Sequence, residues 1–234
     1  MRQLFPDPIE AVEPLDVYRD LPAVEGRPAV RLNMIGSVDG ATAVDGLSGG
    51  LGGPADRKMF AALRSLADVV LVAAGTVRAE GYGPAALPIA VVSGSLNLDW
   101  DTPFFTAATH RPLIVTHRRA PAADVMRASK VADVVVAGES EVDLARAVAQ
   151  LGERGFGHVL AEGGPSLNGA LAAAGVLDEL CLTLAPRLVS GAAKRILTGT
   201  ALTSPPLLAL HSLCEEDGYL VLRYRFPAVG NGGP

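Results

Sequence analysis

The sequence predicts an α/β fold: a mostly parallel central sheet flanked by helices, with a C-terminal antiparallel hairpin. Three observations carry this. A near-continuous apolar run at residues 67–73 reads as a strand buried on both faces, and 88–93 and 111–116 read as further strands. Helical patterns at 54–66 and 140–155 alternate with such runs, and that alternation calls for crossover connections. After residue 200 the pattern becomes two strands, 207–213 and 219–226, around Glu215-Glu216-Asp217-Gly218, a hairpin turn.

Composition sets the bounds. The chain has 234 residues, 49% hydrophobic and 19% charged, enough for a substantial core and against global disorder. A net charge of −5 argues against a nucleic-acid partner. Cys181 and Cys214 form no C-x-x-C pair and the histidines lack metal-ligand spacing, so neither a disulfide framework nor a metal site is expected. With no apolar run of membrane length and no signal-peptide pattern, a cytoplasmic protein with no membrane association is expected. One domain is assigned to residues 28–226. Residues 1–27, rich in proline and acids, are expected to be an extended arm with little regular structure, and 227–234 a flexible tail.

The first strand is placed at 28–36. Asn33 interrupts its apolar pattern and needs a partner if buried: it either ties down a neighbouring loop or faces a ligand. Residues 37–53 form a glycine-rich loop, long enough to suggest a flexible lid, with Ser48 as its most useful hydroxyl; Asp39 and Asp45 read as turn residues. The helix at 54–66 begins with proline, and Phe60, Leu63 and Met59 make its apolar stripe. Asp56 falls on that stripe. It complements the helix dipole or faces a cleft, with Arg64 near the same edge. Thr76, after the strand at 67–73, is a helix N-cap or a cofactor contact. Ser93 and Ser95 follow one strand end. Arg118 and Arg119 follow the next, where they are solvated or bind a ribose 2′-phosphate. Ser140 is taken as the cap of the helix at 140–155, whose stripe is Leu144, Val148 and Leu151.

The segment at 158–185 reads strand, glycine turn, short helix, strand. Gly163 and Gly164 lead into Pro165, Ser166, Leu167 and Asn168, and Gly175 ends the helix. A strand running into glycines and a helix start leaves backbone N–H groups free for an anion such as a dinucleotide pyrophosphate; the alternative is a tight corner with no ligand. The spacing is not the G-x-G-x-x-G fingerprint, so an ordinary Rossmann domain is not indicated. No nucleophile–histidine–acid arrangement is evident, which suits an enzyme whose cofactor carries the hydride.

Ser37-x-Asp39-Gly40, Gly75-Thr76, and AEGGPSLNGAL followed by LDEL-x-L-x-x-A-P resemble the reductase domain of bacterial riboflavin biosynthesis, the RibD C-terminal type, over residues 28–226. The resemblance implies a dihydrofolate reductase-like fold, a homodimer, and NADPH-dependent reduction of the ribosyl group of 5-amino-6-ribosylaminouracil 5′-phosphate. It places the backbone of Ile35 by the nicotinamide, and Thr76, Ser93 and residues 163–168 on the dinucleotide. Ser48, Arg64 and Glu162 would face the substrate; Asn33, from its place in the strand and not from the resemblance, is the further substrate-side candidate.

The chain departs from the family in three respects. The zinc deaminase signature that often precedes this domain is missing. After Glu80 there is no arginine for a substrate phosphate. Asp56 stands where dihydrofolate reductases carry an inward acid, which makes a pterin the alternative substrate and Asp56 the candidate catalytic residue. A catalytically silent nucleotide-binding protein is the third possibility.

Overall fold

The computed structural model describes residues 1–21 and 24–227. Its elements run β1 (Arg2–Phe5), α1 (Pro14–Tyr18), β2 (Ala29–Ser37), α2 (Pro54–Ser65), β3 (Val69–Ala73), α3 (Ala74–Glu80), β4 (Ile89–Val92), α4 (Pro103–Thr106), β5 (Leu113–Thr116), α5 (Ala122–Val131), β6 (Asp133–Val136), α6 (Leu144–Glu153), β7 (His158–Ala161), α7 (Pro165–Ala173), β8 (Glu179–Ala185), β9 (Ala209–Glu216) and β10 (Tyr219–Arg225).

The strands form one sheet in the order β1-β9-β10-β8-β2-β7-β3-β4-β5-β6. Neighbours from β8 to β6 are parallel, while β10, β9 and β1 add antiparallel pairs at the other edge. The expected parallel sheet with a closing hairpin is therefore the observed one. Asp217 and Gly218 both have positive φ, the geometry that tight hairpin turns need.

Helices cover both faces. Met59 and Leu63 of α2, Val77 of α3 and Phe104 of α4 pack on one side. Leu144, Val148 and Leu151 of α6, with Leu167 and Leu171 of α7, pack on the other. Parallel strands buried on both faces are apolar in every position, as β3 is.

Three sequence expectations need correction. Residues 1–27 are not without regular structure. β1 extends the sheet beside β9, and α1 buries Val17 and Tyr18. The proline and acid content masked that apolar pair. α6 begins at Leu144, and its cap is Asp143, not Ser140: the Asp143 carboxylate accepts the Arg146 N–H at 3.0 Å. Gly138, at φ +103°, brackets the loop before it. Helices α4 and α5 were not anticipated, because their alanine and phenylalanine content shows little periodicity. The tail expected at 227–234 lies, from residue 228 on, outside the described residues.

One feature of register positions the site. β2 pairs with β7 only as far as Leu32 opposite Ala161, but stays paired with β8 out to Ser37 opposite Ala185. From Asn33 onward the β7-facing edge of β2 is open. The opening lies at the carboxyl ends of the parallel strands, where α/β sheets bind ligands.

Candidate active site

A cleft of about 1200 Å³ occupies this opening. Single-ligand pockets run to roughly 300–1,000 Å³, so two ligands fit side by side. Asn33 and Ile35 of β2, Ser48 of the glycine loop, Asp56 and Arg64 of α2, Thr76 of α3, Glu162, and Gly164 through Leu167 all line it. Residues scattered over 130 positions of sequence thus converge because the β2 edge is open.

Four predicted residues stand apart from the cleft lining. Ser93 is buried outside the cleft lining, and its hydroxyl accepts the Leu96 N–H at 3.0 Å, closing a turn. Gly163 sits behind the wall, with φ +85° and its carbonyl accepting from Ala73 N at 2.6 Å. The Asn168 side chain is wholly buried and donates to the Ile196 carbonyl at 2.8 Å, strapping α7 to the loop at 186–200. Arg118 is paired with Glu139 at 3.2 Å.

One wall is the β7–α7 corner. No side chain caps α7 at Gly164, so the first N–H groups of the helix remain available to an anion. A Cβ on Gly164 would lie 2.8 Å from Thr76 Oγ1, so only glycine allows this approach of α3 to α7. Thr76 itself is not an N-cap: α3 starts from Ala73, without a side-chain cap.

The opposite wall is charged. Arg64 Nε and Nη2 donate to Glu162 Oε1 and Oε2, each at 2.7 Å, and the Tyr82 hydroxyl donates to Oε2 at 2.7 Å. The Arg64 guanidinium lies 4.4 Å from the Phe60 ring centroid and 5.8 Å from that of Tyr82, in cation–π range. Burial works against the Arg64 charge, but the Glu162 carboxylate outweighs it and raises the pKa further. Burial, then the Glu162 charge, pushes the Tyr82 phenol well up, so it stays a donor.

Asp56 faces the cleft from the first turn of α2. Burial raises its pKa, with the Thr183 hydroxyl and the Arg57 charge pulling the other way. Glycine at 52 makes room, since a Cβ there would stand 3.1 Å from Asp56 Oδ2.

The glycine loop is pinned at two points. Glu80 Oε1 accepts the Ser48 N–H at 3.0 Å. The Asp39 carboxylate accepts the Ser37 hydroxyl and the Val189 and Ser190 N–H groups, which draw its pKa down to about 2. Asp39 is thus a clamp between two loops as well as a turn residue. Tyr82, Arg57 and Lys194, which also line the cleft, were not singled out from sequence. The available signal for Tyr82 was Gly81, whose left-handed backbone (φ +62°) caps α3 and turns the chain back.

Among the described residues no cluster of metal-ligating side chains occurs, and no helix is long and apolar enough to cross a membrane.

An open β2 edge between an uncapped helix start and a fixed guanidinium–carboxylate wall outlines the cleft of an α/β enzyme. Residues 28–221 match the model of the RibD C-terminal domain, and the chain belongs to that family, the pyrimidine reductases of riboflavin biosynthesis. It is 31% identical over 183 residues to the 2,5-diamino-6-ribosylamino-4(3H)-pyrimidinone 5′-phosphate reductase of Methanothermobacter thermautotrophicus, covering 73% of this chain and 83% of that one. To the riboflavin biosynthesis protein RibD of Mycobacterium tuberculosis it is 27% identical over 212 residues, 89% of this chain but 53% of that protein. A solved pyrimidine reductase-like protein from Corynebacterium diphtheriae superposes with a TM-score of 0.81 at 26% identity, over 93% of this chain and 99% of the other. A riboflavin biosynthesis reductase from Saccharomyces cerevisiae shares the fold, with a TM-score of 0.69 at 17% identity over 88% and 93% of the two chains.

Proposed function

We propose that this chain is an NADPH-dependent reductase of a ribosylaminopyrimidine 5′-phosphate, and that the ring it prefers carries a 2-amino-4-oxo edge. The observation that carries it is the presence, in one cleft, of the uncapped α7 start and the Arg64–Glu162 pair. The α7 wall fits a dinucleotide: Gly164 permits close backbone approach, and the N–H groups of Ser166 and Leu167 suit a pyrophosphate. Thr76 stands beside them, and the open backbone edge at Ile35 lies between this wall and the substrate side. A bound NADPH would supply the hydride. Net reduction of ribosyl to ribityl adds a hydride to C1′ and a proton to O4′ as the C1′–O4′ bond breaks. Arg64, with Glu162 and Ser48, holds the sugar chain, and Asn33 lies on the same cleft wall.

Asp56 decides the ring. A carboxylate accepts two parallel N–H bonds, from a 2-amino group and the adjacent ring N–H. A uracil offers a carbonyl at that position and would repel it. The diaminopyrimidinone named for the archaeal relatives has the required edge, and so does a pterin. A second function, dihydrofolate reduction, is favoured by Asp56 and by the lack of arginine from Gly81 to Leu87.

NADPH oxidation assayed with the diaminopyrimidinone, the uracil analogue and dihydrofolate side by side separates these. The diaminopyrimidinone should be fastest. A faster uracil would overturn the role of Asp56, and inertness to all three would leave only nucleotide binding. Tighter NADPH than NADH binding is expected. A cytoplasmic homodimer is the assembly the family resemblance supports, and sedimentation tests its stoichiometry.

A further inference from the structure

We propose that Tyr82 is a positioning residue that fixes the Arg64–Glu162 pair and, with Arg64, reads a hydroxyl of the substrate's sugar chain. Gly81 adopts φ +62° and ψ +50° at the end of α3, and the Tyr82 N–H then bonds back to the Val77 carbonyl at 3.2 Å. That reversal aims the phenol into the cleft, where it donates to Glu162 Oε2 at 2.7 Å.

The consequence follows from counting donors. The Glu162 side chain is only 3% exposed, and its two oxygens take three N–H or O–H bonds. An arginine fork and a carboxylate alone can slide past one another. A third donor on Oε2 selects one arrangement. Phe60 and Tyr82 flank the guanidinium, so its plane is fixed as well. Arg64 Nη1 makes no hydrogen bond among the described residues, while Arg64 lines the cleft and is 27% exposed. With its O–H directed at Glu162, the Tyr82 oxygen keeps its lone pairs for an incoming donor. The substrate therefore meets an N–H donor and an oxygen acceptor on one rigid wall. A sugar hydroxyl, which accepts and donates at once, is the group that satisfies both.

The kinetic part of this role rests on the reductase function proposed above; the positioning part does not. Tyr82→Phe keeps the ring and removes the hydroxyl. With the diaminopyrimidinone ribosyl phosphate, KM should rise about five- to twentyfold, from loss of a hydrogen bond and of its orienting effect, while kcat stays within about twofold. NADPH affinity should not change. In protein carrying ¹⁵N-arginine, rotation about the Arg64 Nε–Cζ bond should be slow in the wild type and faster in Tyr82→Phe. An unchanged KM together with unchanged Arg64 dynamics overturns the proposal. So does a parallel fall in kcat, substrate affinity and NADPH affinity, the mark of general damage. A wild type inert to every substrate, with Arg64 mobilised by Tyr82→Phe, would refute the reductase function and uphold the positioning role.

Discussion

Arg64 and Glu162 meet edge to edge, two N–H···O bonds of 2.7 Å each joining α2 to the end of β7. The carboxylate is 3% exposed and the guanidinium 27%, so the pair is desolvated on one side and open to ligand on the other. Glu162→Gln should leave the Arg64 charge half-buried without its counterion. The expected cost is about 1–3 kcal/mol of stability, read from urea unfolding, with a rise in substrate KM. Arg64→Lys cannot reproduce the fork, and KM should rise about tenfold or more with stability less affected.

Part of this wall is legible in the sequence: Arg64 from the helix pattern, and Glu162 as a strand end whose substrate role comes only from the family resemblance. Arg64 and Glu162 stand at the end of a helix pattern and the end of a strand run, and both boundaries are marked by punctuation: Pro54 on one, Gly163-Gly164 on the other. Asp56 was legible because helical spacing puts it on the stripe of Phe60 and Leu63. Tyr82 was not, because its direction depends on one left-handed residue. Asn168 was assigned to the cofactor because it belongs to a glycine-rich motif, yet its side chain serves the loop at Ile196. Sequence shows that a polar group needs a partner and leaves open which one. The β1–α1 segment was missed because its partners, on β9 and β10, lie some 200 positions away.

Asp56 should make the folded protein less stable as pH rises. Burial raises its pKa, so the folded carboxyl keeps its proton to higher pH than the unfolded one. Between the two values the unfolded state binds fewer protons, and stability falls through that window and stays lower above it. Asp56→Asn should therefore raise Tm by about 1–3 °C at pH 7–8, with the gain vanishing near pH 3. The same substitution should cut kcat/KM for a 2-amino-4-oxo ring by about a hundredfold and leave NADPH binding intact. Scanning calorimetry at both pH values, with the steady-state assay, checks the pair of effects. A Tm gain without loss of turnover would place Asp56 outside the reaction.

Asp39 acts in the opposite sense. Its pKa is drawn down to about 2 by the Ser37 hydroxyl and by the Ser190 and Val189 N–H groups. The clamp it makes is complete above the usual carboxylate range and is lost as pH falls from about 4 through 2. Protection of the Val189 and Ser190 amides, relative to their intrinsic exchange rates, should fall across that window, and Asp39→Ala should give the same loss of protection at neutral pH. Because the loop at 186–200 lines the cleft through Val189 and Lys194, Asp39→Ala should also raise substrate KM by about two- to fivefold. Unaltered exchange at both amides would show that the clamp is not what orders the loop.

Glu179 is the most consequential charge away from the cleft. It is completely buried, with Arg31 on one oxygen and Arg223 on the other. The same two guanidinium groups also reach α1: Arg31 Nη2 donates to the Tyr18 carbonyl at 2.9 Å and Arg223 Nη1 to the Val17 carbonyl at 2.6 Å. These are the last carbonyls of α1, which a five-residue helix cannot satisfy internally. The Tyr18 ring centroid lies 5.4 Å from the Arg31 guanidinium and 5.7 Å from that of Arg223. Glu179→Gln removes the buried counterion that the two arginines share and leaves Asp20, on the solvent side, as the remaining partner of Arg223. A buried Arg31 without a counterion, beside an Arg223 paired only from its solvent side, should cost about 3–5 kcal/mol. The first structure lost should be α1, so amide exchange at Val17 and Tyr18 should rise before the cooperative transition in urea. Asp20→Asn, at the exposed end of the same network, should cost less than about 1 kcal/mol. Equal effects of the two substitutions would mean that the network stabilises through its surface end, and that the buried carboxylate is dispensable.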